Sequence, residues 1–180
     1  MTELELLIEQ TTGYKNSRQN TANFILARPE LLEQFLFYCF EIDNPNHYKA
    51  CWALELISYE KLEWFQPYLD LICSKSQTLT NESAIRPLSK ILYLILEAHY
   101  RKNSIQLTEK QLQYLIETNF DWLINDSKVA AKAHAMRCLF LLGTQYPWIH
   151  PELKTIITKD FSTHTAAYKA VSKQLLKKLK

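Results

Sequence analysis

Glycine is almost missing from this 180-residue chain, where Gly13 and Gly143 stand alone, and prolines number only six. A fold built from many tight turns needs more of both residues, so a β-sandwich or barrel does not fit. Two isolated glycines cannot build a phosphate-cradling loop, which removes the glycine-rich nucleotide-binding motifs. No CxxC pair joins Cys39, Cys51, Cys73 and Cys138. They read as reduced residues in or near a core rather than a disulfide framework. No run of about 18 to 20 apolar residues, the length of a membrane span, occurs. The start, "MTELELLIEQ", is acidic where a signal peptide is basic and then apolar. A cytoplasmic protein is expected, with no part in a membrane.

The long segments are dominated instead by leucine, lysine, glutamate and alanine, all good helix formers, which points to an all-α chain. Apolar residues make up 47% and charged residues 22%, ordinary globular usage that excludes a disordered tail. The net charge of +2 is unevenly spread. Residues 1 to 127 hold 11 Lys+Arg against 17 Asp+Glu, and residues 128 to 180 hold 10 against 2. One end is acidic and the other basic.

The stretch "DSKVAAKAHAMRCLFLLG" (residues 126–143) pairs an aspartate with a lysine six positions later and then runs almost without polar interruption. The same pairing of Asp or Thr with Lys or Arg occurs at Thr12–Arg18, Asp43–Lys49, Thr80–Arg86, Asp126–Lys132 and Thr163–Lys169. The starts lie 31, 37, 46 and 37 residues apart, the spacing of a helical solenoid. The first residue of each window is suited to accept from orphan N–H groups of a first helical turn.

In "NHYKACWALELIS", "SAIRPLSKILYLILEA" and "VAAKAHAMRCLFLLG" the apolar residues cover more than one stripe, so these inner helices are expected to be buried on several sides. The intervening segments are amphipathic: Leu32, Phe35, Leu36 and Cys39 hold one face, as do Leu112, Leu115, Ile116 and Leu123. The pattern predicts outer helices at 2–11, 29–41, 60–74, 108–124 and 151–161, and inner ones at 14–27, 46–58, 83–100, 127–145 and 164–179. Pro87 falls inside an inner segment, so that helix is expected to start late or to bend.

These windows resemble the HEAT-like repeats of the armadillo-type α-solenoid family, in which a repeated Asp and a repeated Arg or Lys form a ladder at the start of each second helix. The resemblance covers nearly the whole chain. It implies a right-handed α-α superhelix of about five antiparallel helical pairs in a single domain, 1–180, with repeats near 1–28, 29–59, 60–101, 102–147 and 148–180. It further implies that second helices line a concave surface, which would carry Arg18, Lys49, Trp52, Arg86, Lys90, Lys132 and Lys169. Three threonines stand where the family's ladder has aspartate.

Trp52 lies three positions after Lys49 and three before Glu55, so one helix face combines cation, aromatic and carboxylate. That triplet resembles, in part, the aromatic and acidic residues of HEAT-like alkylpurine DNA glycosylases. His134 and Cys138, four apart, form two ligands without the rest of a metal site, and packing explains them better. Lys169, Lys173, Lys177 and Lys180 share one face of the last helix, a basic stripe suited to phosphates or to an acidic protein, or to offsetting the helix dipole. No catalytic group, metal or cofactor is expected. The leading expectation is a non-enzymatic scaffold that binds a protein partner along the concave face. The alternative is nucleic-acid binding through the basic half, with or without base chemistry, and a third is self-association of acidic end with basic end.

Overall fold

In the computed structural model residues 2–125 and 129–179 are described, and every regular element among them is helical. The α-helices are α1 (Glu3–Gln10), α2 (Lys15–Leu26), α3 (Leu32–Phe40), α4 (His47–Lys61), α5 (Leu69–Ser76), α6 (Glu82–Glu97), α7 (Glu109–Ile124), α8 (Val129–Leu142), α9 (Ile149–Asp160) and α10 (Ala166–Leu176). Short 3-10 turns span Pro29–Leu31 and Leu62–Tyr68, and a π-helical turn, Ala98–Lys102, follows α6. The chain divides into two compact units, one up to Ile91 and one from Leu92.

The predicted outer helix at 60–74 is the segment that differs most. There α4 runs on to Lys61, and Leu62–Tyr68 is 3-10 before α5 begins. Pro67 explains the interruption, because its ring removes an N–H and crowds the carbonyl four residues back.

In the first unit α4 is the hub, packing against α1, α2 and α3. Ala50, Cys51, Ala53, Leu54 and Ile57 are fully buried and, at about 100° per residue, form one broad face of it rather than several sides, with Tyr59 exposed on the opposite side. Helix α4 also satisfies backbone groups that its neighbours leave open. A helix's last four carbonyls have no intrahelical partner. The Lys49 ammonium donates to the carbonyl of Glu9 at the end of α1. At the end of α3 the carbonyl of Cys39 faces His47 Nδ1 at 3.1 Å and the Cys51 thiol at 3.4 Å.

The third case involves Pro87. Helix α6 does not start late, since Glu82 opens it and Pro87 is its sixth residue. Proline has no N–H to give to the carbonyl of Ser83, four residues back. Trp52 Nε1 donates to that carbonyl at 3.0 Å, so the indole replaces the missing backbone donor. With that acceptor satisfied, the helix passes through the proline.

The expected capping residues are displaced. Helix α4 has no side-chain cap, Asn46 standing at its N-cap with its own N–H given to Asn44 Oδ1 in the preceding turn, and α6 is entered through Asn81, whose Oδ1 accepts from the N–H of Ser83. Thr165, not Thr163, accepts from the first turn of α10. A cap must directly adjoin the first turn, and the Thr12, Asp43, Thr80 and Thr163 of the windows stand one to three residues too early. Asp126 lies outside the described residues.

In the second unit α8 is the hub, packed against α7, α9 and α10. Ala131, Ala135, Met136, Cys138, Leu139 and Leu142 are fully buried. Gly143 closes this helix for a steric reason: a Cβ there would lie 2.0 Å from the His150 ring. That ring stacks on Phe140 with centroids 5.3 Å apart, and its Nε2 meets the carbonyl of Phe140 at 2.9 Å, again a helix-end carbonyl held from outside its helix.

Two stability predictions follow from these contacts. Trp52→Phe strands the Ser83 carbonyl and is expected to cost about 1–3 kcal/mol. Pro87→Ala restores an N–H to it, so a double-mutant cycle in urea should give a clear coupling between the two sites, whereas strict additivity would show that the indole bond does not compensate for proline. Gly143→Ala should expel the His150 ring and lower stability by about 1–3 kcal/mol in the same assay.

Candidate binding surfaces

In the first unit two tyrosine-linked surfaces stand out. On α4 the Tyr59 hydroxyl donates to Glu55 Oε1 at 2.6 Å. Burial and then the Glu55 carboxylate push the Tyr59 phenol up, so it stays a protonated donor, while Arg86 and Arg18 pull in the opposite direction. Arg18 comes from α2 and Arg86 from α6, so charges on two other helices act through space on the Tyr59 phenol. Arg86 is exposed and Arg18 half-buried, and the buried Nε of Arg18 has no hydrogen-bond acceptor among the described residues.

Trp52 sits beside this cluster in sequence but is turned to packing. Its ring contacts Tyr48 edge-on at 5.0 Å, lies against Gly13 and, through Nε1, is tied to α6. Lys49 is likewise engaged by Glu9, and Lys90 is half-buried in α6.

The other surface of this unit is an open acidic groove of about 790 Å³ lined by Glu5, Glu9, Glu41 and Asp43 with Tyr38. Glu5 belongs to a capping box: the Thr2 N–H donates to its Oε2 at 2.7 Å, and the Tyr38 hydroxyl donates to Oε1 at 2.8 Å. The Thr2 bond, followed by that of Tyr38, holds the Glu5 carboxyl below its ordinary value.

In the second unit Lys132 is 6% exposed, and so offers a partner little surface. Lys169 and Lys173 each stand 5.9 Å from the centre of the Phe161 ring, and Lys173 and Lys177 line an apolar hollow of about 370 Å³ with Phe161 and Leu176. These three lysines therefore share a side of α10 as their spacing implies, while Lys180 lies outside the described residues. His134 stacks on Tyr93 with centroids 6.2 Å apart, and Cys138 is fully buried, which pushes its thiol up. Among the described residues no three His, Cys, Asp or Glu side chains are grouped to hold a metal.

A second Tyr–Glu pair stands here. The Tyr93 hydroxyl donates to Glu97 Oε1 at 3.0 Å, and Arg101 Nη1 reaches the same oxygen at 2.8 Å. Arg137 lies over the Tyr93 ring at 6.0 Å. The sequence reading singled out neither tyrosine. The signal it passed over is the spacing of four between Glu55 and Tyr59 and between Tyr93 and Glu97, which puts each pair on one helix face.

Comparison with known proteins gives no matching family model, no matching curated protein and no matching solved structure.

The Glu5 contacts set a pH dependence. Since the folded carboxyl is held below its ordinary 4.5, its contribution is complete above that value and is lost as pH falls through the folded one. Glu5→Gln is therefore expected to lose less stability than the parent between pH 7 and pH 3, read from urea midpoints; parallel curves would rule this contribution out.

Proposed function

We propose that this protein is a noncovalent binding module, a HEAT-like α-solenoid of about five helical pairs whose inner helices present a surface to a protein partner. The carrying observation is the Tyr59–Glu55 pair, bonded at 2.6 Å, with the Arg18 and Arg86 charges near enough to act on the Tyr59 phenol through space. Arginine and tyrosine are the side chains that most often dominate protein interfaces, because they combine area with directed hydrogen bonds. The Arg18 Nε adds a donor with no acceptor of its own, and the Glu55 carboxylate would repel a phosphate backbone but welcomes the mixed polar groups of a protein. Lys49 and Trp52 serve this surface as ties between helices rather than as contact residues.

A second reading, nucleic-acid binding, is favoured by charge: from residue 92 onward the chain has 13 Lys+Arg against 7 Asp+Glu. Such binding would fall steeply with salt. Base release from a methylated duplex would extend it to chemistry at Glu55, whose carboxylate is engaged by Tyr59.

The test compares capture of proteins from a lysate by the immobilised parent and by an Arg18→Gln, Arg86→Gln double variant of unchanged melting temperature. A partner retained by the parent and lost by the variant is the expected result. Salt-sensitive DNA binding that disappears with the same two substitutions, with no difference in captured protein, overturns the protein reading.

A further inference from the structure

In the second unit three cations from three separate segments line one small cavity of about 120 Å³: Arg101 from the π-helical turn, Arg137 from α8 and Lys178 just after α10. The rest of its lining is Tyr93, Gln174 and an apolar wall of Phe140, Leu141 and Leu175. We propose that this cavity is an oxyanion site for the phosphoryl head of a phosphate monoester, with the remainder of the ligand outside.

Size, charge and placement support it. A volume of about 120 Å³ is sufficient for a tetrahedral oxyanion. Arg101 is partly neutralised by Glu97, the acid that faces it at 2.8 Å, so three cations and one carboxylate leave a balance of two positive charges, matched to a dianion. Phosphate diesters carry one negative charge; monoesters near neutral pH carry close to two. The cations are seated over aromatic rings, Arg137 over Tyr93 at 6.0 Å and Lys178 over Phe140 at 5.8 Å, which limits the side-chain freedom lost when they close on an anion. Gln174 contributes a neutral amide donor, and the two arginines can each present a planar fork to phosphate oxygens. None of these residues belongs to the Arg18–Arg86 cluster, so the site stands or falls apart from the protein-binding reading.

Titration of the full-length protein with phenyl phosphate and inorganic phosphate, followed by amide NMR, is expected to give saturable shifts confined to residues near Arg101, Arg137 and Lys178. Dimethyl phosphate should bind at least about tenfold more weakly, having half the charge. Arg137→Gln and Lys178→Gln are each expected to weaken phenyl phosphate by about tenfold or more, the loss of one charge-assisted hydrogen bond. Lys177→Gln, facing the apolar hollow, should leave it unchanged. Should Arg137→Gln fail to fold, Lys178→Gln carries the comparison, because Lys178 follows the last residue of α10. Glycerol 3-phosphate and a phosphoserine peptide separate a free metabolite from a protein-borne phosphate; saturable binding of either at these residues supports the site. Three results overturn it: no saturable shift at millimolar ligand, equal loss with Lys177→Gln, or unchanged affinity with Lys178→Gln. If affinity is unaffected but melting falls, the cations serve only to offset the ends of α8 and α10.

Discussion

Carbonyl groups that their own helices cannot satisfy govern how the first unit is assembled. Glu9 and Cys39 lie in the last turns of α1 and α3, and Ser83 loses its donor to Pro87. A buried carbonyl without a donor costs about as much as a lost hydrogen bond, which bears on Cys39 and the part-buried Ser83, whereas the Lys49–Glu9 contact is exposed. Within fewer than two turns of α4, Lys49, His47, Cys51 and Trp52 approach all three. Apolar burial brings α4 into contact with α1, α2 and α3, but it has no direction. The polar tips of these four residues fix where along α4 the ends of α1 and α3 and the first turn of α6 lie.

The second unit obeys the same rule from a different residue. Successive N–H groups from Gly143 to Tyr146 take most of the last carbonyls of α8, and the Phe140 carbonyl is left to His150. Only glycine at 143 leaves room for that ring. The few glycines of the chain are thus compatible with its helical fold, and one of them holds its place by close approach rather than by an unusual backbone angle.

Because so many side chains of α4 are committed to its neighbours, the groups left for a partner are those on the turns that follow. Glu55 and Tyr59 stand on the C-terminal half of α4, where the charges of Arg18 and Arg86 act on the Tyr59 phenol through space. The proposed interface therefore rests on residues whose positions are fixed by the same helix that organises the unit. The proposed phosphoryl site has another basis, being made where α8, the π-helical turn and the end of α10 leave a gap edged by cations.

Periodicity alone determined most of the helices. Leu32, Phe35, Leu36 and Cys39 could face a core only as α3, and the apolar run from Ala50 to Ile57 could be buried only as α4, because the 3.6-residue period is a local property of the chain. Proline effects were read less well. Pro67 breaks its segment and Pro87 does not, and the difference lies in Trp52, 35 residues earlier in sequence, which supplies the donor that Pro87 lacks. The windows of Asp or Thr with Lys or Arg at Thr12, Asp43, Thr80 and Thr163 fall near the starts of α2, α4, α6 and α10, yet what adjoins each first turn and what Lys49 binds depended on the turn geometry and on the end of α1. A lysine at a helix start reads alike whether it faces solvent, a partner or a neighbouring carbonyl. Only packing brings the acceptor within 3 Å or leaves it out of reach, and that decision belongs to the tertiary structure.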